Sequence, residues 1–181
     1  MQIKNGWLKS ASEVPSPNVD RRPDSADISL LVIHNISLPP NQFGGGYIEQ
    51  FFSNCLDPGA DDYFATICDL RVSSHLLIDR LGNITQFAPF TVRAWHAGVS
   101  HFDGRENCND FSIGIEMEGA DNIAYTDTQY KVLAEVTAAL CREYPLITAD
   151  RIVGHSDIAP GRKTDPGEAF DWQRYRQMLS A

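Results

Sequence analysis

Five histidines limit where imidazole chemistry can occur in this chain of 181 residues: His34, His75, His96, His101 and His155. Two of them follow short apolar runs, since His34 closes the run at 28–34 and His155 comes directly after residues 151–154. The loops that follow strands are where binding and catalytic residues collect. A single histidine of this kind is more often a hydrogen-bonded loop residue, but two at strand ends predict a metal site.

A carboxylate near His155 would complete this site, and the chain offers Asp157 and Asp165. Two imidazoles and one carboxylate suit Zn²⁺ with an open fourth position, and the spacing alone does not choose between the two aspartates. The same ligand types hold Fe²⁺ in oxygenases. Zinc is favoured because the His-x-Asp sequence at 155–157 has no later histidine.

Zinc-activated water hydrolyses an amide only if another group takes and returns a proton. Glu116 is the leading candidate, because period-two alternation in residues 110–119 places it on the strand face opposite Phe111, Ile113, Ile115 and Met117. The alternative is an ordinary solvated glutamate like Glu118. Lys163 lies two residues before Asp165, so an extended chain sends both side chains to one side, where Lys163 could stabilise an oxyanion. The alternative is a solvated loop lysine.

Several elements must position these residues. The run at 28–34 predicts a central strand covered on both faces, and residues 74–79 and 84–87 predict a hairpin around Gly82. Thr126 and Gln129 form a capping-box pattern before a helix that Pro145 ends. Shorter helices are predicted at 47–52 and 171–179. We therefore expect one α/β domain over 1–181, with a mixed central sheet flanked by helices, and an extended arm at 1–27 before the fold begins near Ile28.

Composition restricts the partners. The net charge is −9 and the hydrophobic fraction is 43%, which argues for a globular protein and against nucleic acid or an anionic membrane as partner. No obligate protein partner is evident. The first twenty residues contain no apolar core of a signal peptide, and the four cysteines show no CxxC spacing, so we expect a cytoplasmic protein with reduced thiols.

Five motifs, in order, resemble the zinc-dependent N-acetylmuramoyl-L-alanine amidases: LVIHN at 31–35, RVSSH at 71–75, RAWHAG at 93–98, NDFSIGIEMEG at 109–119 and GHSDIAPGRKTDPG at 154–167. The resemblance runs from about Gly6 to Trp172 and is greatest to the cytosolic, AmpD-type branch, which recycles 1,6-anhydro-muramyl peptides. It implies an amidase fold related to peptidoglycan-recognition domains, with the zinc site at the sheet edge.

The resemblance also implies a role for each site residue. His34, His155 and Asp165 would be the zinc ligands, Glu116 the general base and then acid, and Lys163 an oxyanion stabiliser. The reaction would separate the lactyl group of the muramyl sugar from L-alanine of the stem peptide. Substrate contacts are implied for a further set: Asn35, Arg71, His75, Ala94 and Trp95.

Three positions distinguish this chain within the resemblance: Asp165, Glu116 and Asn107. Phage-lysozyme-like relatives use Cys as third ligand and Tyr in place of Glu116, so Asp165 and Glu116 favour the recycling branch. Where that branch often carries a second Arg, Asn107 stands here, and Arg105 is the residue expected to compensate. The competing hypotheses are a non-catalytic peptidoglycan-binding module and an amidase of the intact cell wall.

Overall fold

A computed structural model describes residues 1–180, which form a six-stranded mixed sheet with helices packed against it. The strands, numbered along the chain, are β1 (Ile3–Lys4), β2 (Trp7–Leu8), β3 (Ser12–Glu13), β4 (Val19–Arg21), β5 (Leu30–Ile36), β6 (Leu76–Ile78), β7 (Ile84–Gln86), β8 (Val92–Ala94), β9 (His101–Phe102), β10 (Arg105–Glu106), β11 (Ser112–Glu118) and β12 (Ile152–Gly154). The α-helices are α1 (Tyr47–Phe52), α2 (Phe64–Ile67), α3 (Asp127–Glu143), α4 (His155–Ile158) and α5 (Trp172–Ser180).

The central sheet has the order β12-β5-β11-β6-β7-β3. Strand β5 lies between β12 and β11 and is parallel to both, whereas β6 and β7 pair in antiparallel fashion as the predicted hairpin. The apolar run at 28–34 therefore forms a central strand, as predicted, because its Leu, Val and Ile side chains can be buried on both faces. The strand continues to Ile36, so His34 lies two residues before its end rather than at it.

Helix α3 begins with the predicted capping box. Thr126 Oγ1 accepts the Gln129 N–H at 3.1 Å, and Gln129 Oε1 accepts the Thr126 N–H at 3.1 Å. The buried side chains of α3 recur at helical spacing and pack with those of β5, β11 and α5 in the main core, among them Tyr130, Leu133, Val136, Leu140 and Tyr175. This packing covers one side of the sheet, and α1 and α2 pack against the other side in a second cluster that includes Leu77 of β6.

The N-terminal segment differs from the prediction. The predicted arm at 1–27 contains four short strands, and β3 forms the outer edge of the central sheet through its pairing with β7. Leu8 is buried in the main core. The fold therefore begins before Ile28. The prolines Pro15, Pro17 and Pro23 all lie outside these strands, which agrees with their missing N–H donors.

The four cysteines are free, as the sequence predicts. Among the described residues, no helix combines the length and apolar character needed to cross a membrane.

Candidate metal centre and active site

Three side chains from distant parts of the chain converge on one point. The Nδ1 atoms of His34 and His155 lie 3.0 Å apart, and each lies 3.0 Å from Asp165 Oδ2. His34 is supplied by β5 and His155 by the first residue of α4, where β12 ends. Both histidines are buried, while Asp165 is partly exposed. Adjacent parallel strands thus bring together two residues separated by 121 positions.

The donor set fits a metal ion. His155 Nε2 lies 3.1 Å from the carbonyl oxygen of Ala97, which can only accept, so the His155 proton is on Nε2 and Nδ1 has a free lone pair. His34 Nε2 has a partner of its own, His96 Nδ1, at 2.9 Å. Two nitrogens and a carboxylate oxygen at mutual distances of 3.0 Å are compatible when a cation lies among them.

The electrostatics keep these ligands in the forms that bind metal. Burial is the largest influence on the pKa of His34, which falls to about 4 although the neighbouring Asp165 raises it. Burial would raise the pKa of Asp165, but the contacts with His155 and His34 outweigh it and the pKa is lowered. At neutral pH His34 is therefore a neutral imidazole and Asp165 a carboxylate.

Asp157, the alternative carboxylate, has another partner. Its Oδ2 accepts the backbone N–H of Gly154 at 2.7 Å, which caps the start of α4. Asp157 is thus occupied with the helix terminus, and the structure groups Asp165 with the two histidines.

Glu116 lies beside this group on the neighbouring strand. It is 8% exposed, and its Oε2 has no hydrogen-bond partner among the described residues. Burial, followed by the negative charge of Asp165, raises the pKa of Glu116 well above its usual range, while Lys163 lowers it. Glu118 differs, because its two carboxylate oxygens accept the N–H groups of Gly44 and Arg80. Both glutamates are largely buried, because β11 is buried along its whole length.

A cavity of about 800 Å³ opens over the three converging side chains. Glu116 and Lys163 line it together with His34, His155 and Asp165. Two of the predicted substrate contacts also line it, Asn35 and Trp95. Asn35 donates to Asp121 Oδ1 at 2.8 Å, while the buried Nε1 of Trp95 has no partner within the described residues. An unpaired buried donor is costly unless a ligand or water satisfies it.

The other predicted substrate contacts do not line this cavity. His75 and Ala94 are fully buried; His75 Nδ1 accepts the Gly114 N–H, and its Nε2 donates to the Val92 carbonyl. Arg71 donates to the carbonyls of Cys68 and Leu70. Arg105 pairs with Asp27 at 2.6 Å and stacks over the Phe111 ring. Their contacts with a substrate stay predictions.

Two residues near the centre carry no role in the sequence-based prediction. His96 contacts His34, and Arg162 lines the cavity and donates to the carbonyls of Ala97 and Val99. His96 lies 62 positions from His34 in the chain, so spacing gives no sign of their contact. The sequence feature that points to His96 is its place beside Trp95 in the motif at 93–98.

Comparison with known proteins decides the family. The sequence matches the N-acetylmuramoyl-L-alanine amidase family over residues 24–168. The chain belongs to this amidase family. It is 58% identical, over 99% of this chain and 96% of the relative, to the 1,6-anhydro-N-acetylmuramyl-L-alanine amidase AmpD of Citrobacter freundii. The AmpD-type resemblance is thereby confirmed.

Solved structures show the same relationship for this amidase. A crystal structure of AmpD has a TM-score of 0.96 at 58% identity, covering 99% of both chains. The amidase AmiD from E. coli, in complex with anhydro-N-acetylmuramic acid-L-Ala-D-γ-Glu-L-Lys, has a TM-score of 0.61 at 28% identity, covering 95% of this chain and 60% of that one. The predicted α/β class with a mixed central sheet is confirmed.

Proposed function

We propose that this amidase uses zinc to hydrolyse the amide bond between the lactyl group of 1,6-anhydro-N-acetylmuramic acid and L-alanine of the stem peptide, in cytoplasmic recycling of the cell wall. The observation that carries the proposal is the convergence of His34 Nδ1, His155 Nδ1 and Asp165 Oδ2 within 3.0 Å of one another beneath the cavity. The names of its relatives supply the substrate class.

His34, His155 and Asp165 are the zinc ligands in this proposal. An ion held there would supply a Lewis acid that activates water near neutral pH and polarises the amide carbonyl. Because the only charged ligand in this set is the Asp165 carboxylate, the set would leave the centre positive, which suits a reaction that develops negative charge.

Glu116 is the proton carrier. Its Oε2 is buried without a partner among the described residues, and the residue lines the same cavity as the ligands. Because burial raises its pKa, the carboxylate can take a proton from water and return it to the leaving amine at neutral pH. A glutamate with both oxygens already bonded, such as Glu118, could not do so without breaking those bonds.

Lys163 stabilises the developing oxyanion. It lines the cavity, and Asp165 lies two residues further along the chain. The Lys163 side chain is exposed, so a bound substrate that excludes water would strengthen its attraction for an oxyanion. Asn35 and Trp95, which both line the cavity, then contact the muramyl side of the substrate.

The test compares a soluble substrate with a polymeric one. The zinc-loaded protein is incubated with 1,6-anhydro-muramyl tripeptide, and separately with dye-labelled sacculi. We expect release of free tripeptide from the fragment and little release of dye. Tight binding of the fragment without turnover would instead identify a non-catalytic binding module, and dye release at rates matching the fragment would identify an amidase of the intact wall.

A further inference from the structure

Two consecutive residues, His96 and Ala97, contact the two histidine ligands of the proposed zinc site, and the inference below rests on that proposal. The His96 side chain reaches His34, with Nδ1 at 2.9 Å from His34 Nε2. The backbone carbonyl of Ala97 reaches His155, at 3.1 Å from Nε2. Each ligand imidazole is thus held at the ring nitrogen that faces away from the proposed metal.

The direction of the His34–His96 hydrogen bond matters for metal binding. A neutral imidazole has one N–H. If His34 donates from Nε2 to His96 Nδ1, the Nδ1 lone pair of His34 is free for a metal. If the bond runs the other way, His34 carries its proton on Nδ1, where a metal would lie. Metal binding at His34 Nδ1 therefore requires His96 to act as the acceptor and to carry its own proton on Nε2.

Ser112 provides the partner for that second proton. The Oγ of Ser112 lies 3.2 Å from His96 Nε2, and it is fully buried on β11. A hydroxyl can accept from His96 Nε2–H. The result is a continuous chain of donors, from His34 Nε2 to His96 and from His96 to Ser112, which matches the arrangement that fixes the tautomer of metal-ligating histidines.

The 96–97 segment is itself pinned by one side chain. The Oδ1 of Asn109 accepts the N–H of His96 at 3.1 Å and the N–H of Ala97 at 2.8 Å. Asn109 is 6% exposed and lies just before β11. A single buried amide oxygen thus holds both backbone donors, so the His96 ring and the Ala97 carbonyl keep a constant relation to the two ligands.

Gly114 provides the space for the His96 ring. A Cβ added at Gly114 would lie 2.5 Å from His96 Cγ and 2.6 Å from His96 Nδ1. The strand around it is otherwise built of side chains on both faces. Glycine at this position of β11 therefore lets the imidazole lie directly on the strand, within reach of His34 on the adjacent strand.

We propose that His96 is a positioning residue for the metal centre: its Nδ1 accepts the Nε2–H of His34 and holds the His34 Nδ1 lone pair toward the metal. The Ala97 carbonyl does the same for His155, and Asn109 fixes both. Partners of this kind typically change metal affinity 10–100-fold when removed. The effect acts through the ligands, so His96 need not touch the substrate.

Zinc affinity measured by competition with a chromophoric chelator tests this without use of the enzyme assay. His96→Leu removes the acceptor and puts an apolar side chain of similar size in its place. His96→Asn restores an acceptor near the position of Nδ1. Ser100→Ala is the matched control, because Ser100 bonds to the backbone of Cys108 and Gly98 in the same loop and to neither ligand.

We expect His96→Leu to weaken zinc binding at least 10-fold, His96→Asn to recover most of the loss, and Ser100→Ala to match the wild type. Gly114→Ala should weaken binding as His96→Leu does, by displacing the ring. Wild-type zinc affinity in folded His96→Leu would overturn the inference. Equal losses in His96→Leu and His96→Asn would also overturn it, because they would show that ring packing rather than the acceptor matters.

A second measurement remains decisive if the variants fail to fold. Long-range ¹H–¹⁵N spectra of the zinc-loaded wild type report which ring nitrogen of each histidine carries its proton. We expect protons on Nε2 of both His34 and His96, with His96 Nδ1 unprotonated. A proton on His96 Nδ1 would overturn the inference. Failure of the wild type to bind zinc at all would instead reject the proposed function, so the two failures are distinguishable.

Discussion

Glu116 and His34 are register partners on the adjacent parallel strands β11 and β5. Partners in register project from the same face of a sheet, so the proposed proton carrier and the proposed zinc ligand share one rigid platform. Strand β12 pairs on the other side of β5 and delivers His155 one residue after its end. Three neighbouring strands thus set most of the catalytic geometry, and loops add Asp165 and Lys163.

Replacement of Glu116 by glutamine should separate catalysis from metal binding. Glu116→Gln keeps the shape of the side chain and cannot carry the proton, and general acid–base groups typically contribute 10²–10⁴-fold. We expect kcat to fall by about that factor with zinc content unchanged. Peptide release from the anhydro-muramyl substrate and metal analysis of the same sample measure both, and near-normal turnover would refute the assigned role.

Two aspartates form a matched pair for the ligand assignment. Asp165→Asn should lose zinc and activity together, because Asp165 Oδ2 lies 3.0 Å from both histidine nitrogens. Asp157→Asn should retain zinc, since Asp157 instead accepts the Gly154 N–H, and should lose at most about 1 kcal/mol of stability from the weaker cap. Zinc retained by Asp165→Asn and lost by Asp157→Asn would reverse the assignment.

Lys163→Met should lower the rate of the reaction without changing zinc binding. The ammonium group is lost while the alkyl stem stays, so zinc content should be unchanged. Removing one group that stabilises an oxyanion typically costs about 10²–10³-fold in kcat. Steady-state kinetics with separate kcat and KM values checks this, and a change confined to KM would show that Lys163 binds the ground state instead.

The positions of these residues were only partly predictable. The β5 and β11 patterns identified His34 and Glu116 because buried strands have recognisable apolar runs and period-two alternation. The choice between Asp157 and Asp165 depends on the turn after α4, which brings the chain back to the histidines. Local spacing does not encode that turn. The same holds for His96, whose contact with His34 exists only once β5 and the loop at 95–100 pack together.

The strands of the N-terminal segment could not be predicted from the sequence. Its strands are two or three residues long, too short for a periodic signal. Strands β1 and β2 pair with each other, while β3 and β4 form because the edge of β7 and the strand β8 offer unpaired backbone groups to them. Arg22 adds a further tertiary contact, donating to the carbonyls of Phe90, Asn109 and Ser112. Tertiary pairing, rather than local propensity, determines this region.

Stability should fall in acid because His75 is buried in its neutral form. Burial, then the charge of Arg22, lowers the pKa of His75 to about 3, against about 6.5 in the unfolded chain. The unfolded state therefore binds more protons between these values, and the free energy of unfolding falls as the pH drops below 6.5. His75 should contribute up to about 1.4 kcal/mol per pH unit in this window.

Urea unfolding of the zinc-free protein at pH 7 and pH 5 measures this effect. In His75→Gln the loss of stability between the two pH values should be smaller by about 2 kcal/mol, whatever the variant's stability at pH 7. An identical pH dependence in the wild type and the variant would show that His75 does not contribute to the loss of stability in acid.

Zinc titration into the metal-free protein tests whether the His34, His155 and Asp165 site drives amide hydrolysis. Cleavage of 1,6-anhydro-muramyl tripeptide is followed as zinc is added, with the products identified by mass. We expect cleavage at the lactyl–L-alanine bond to rise linearly and to saturate at one zinc per chain. Full cleavage without added metal, or zinc bound with no cleavage of this bond, would contradict it.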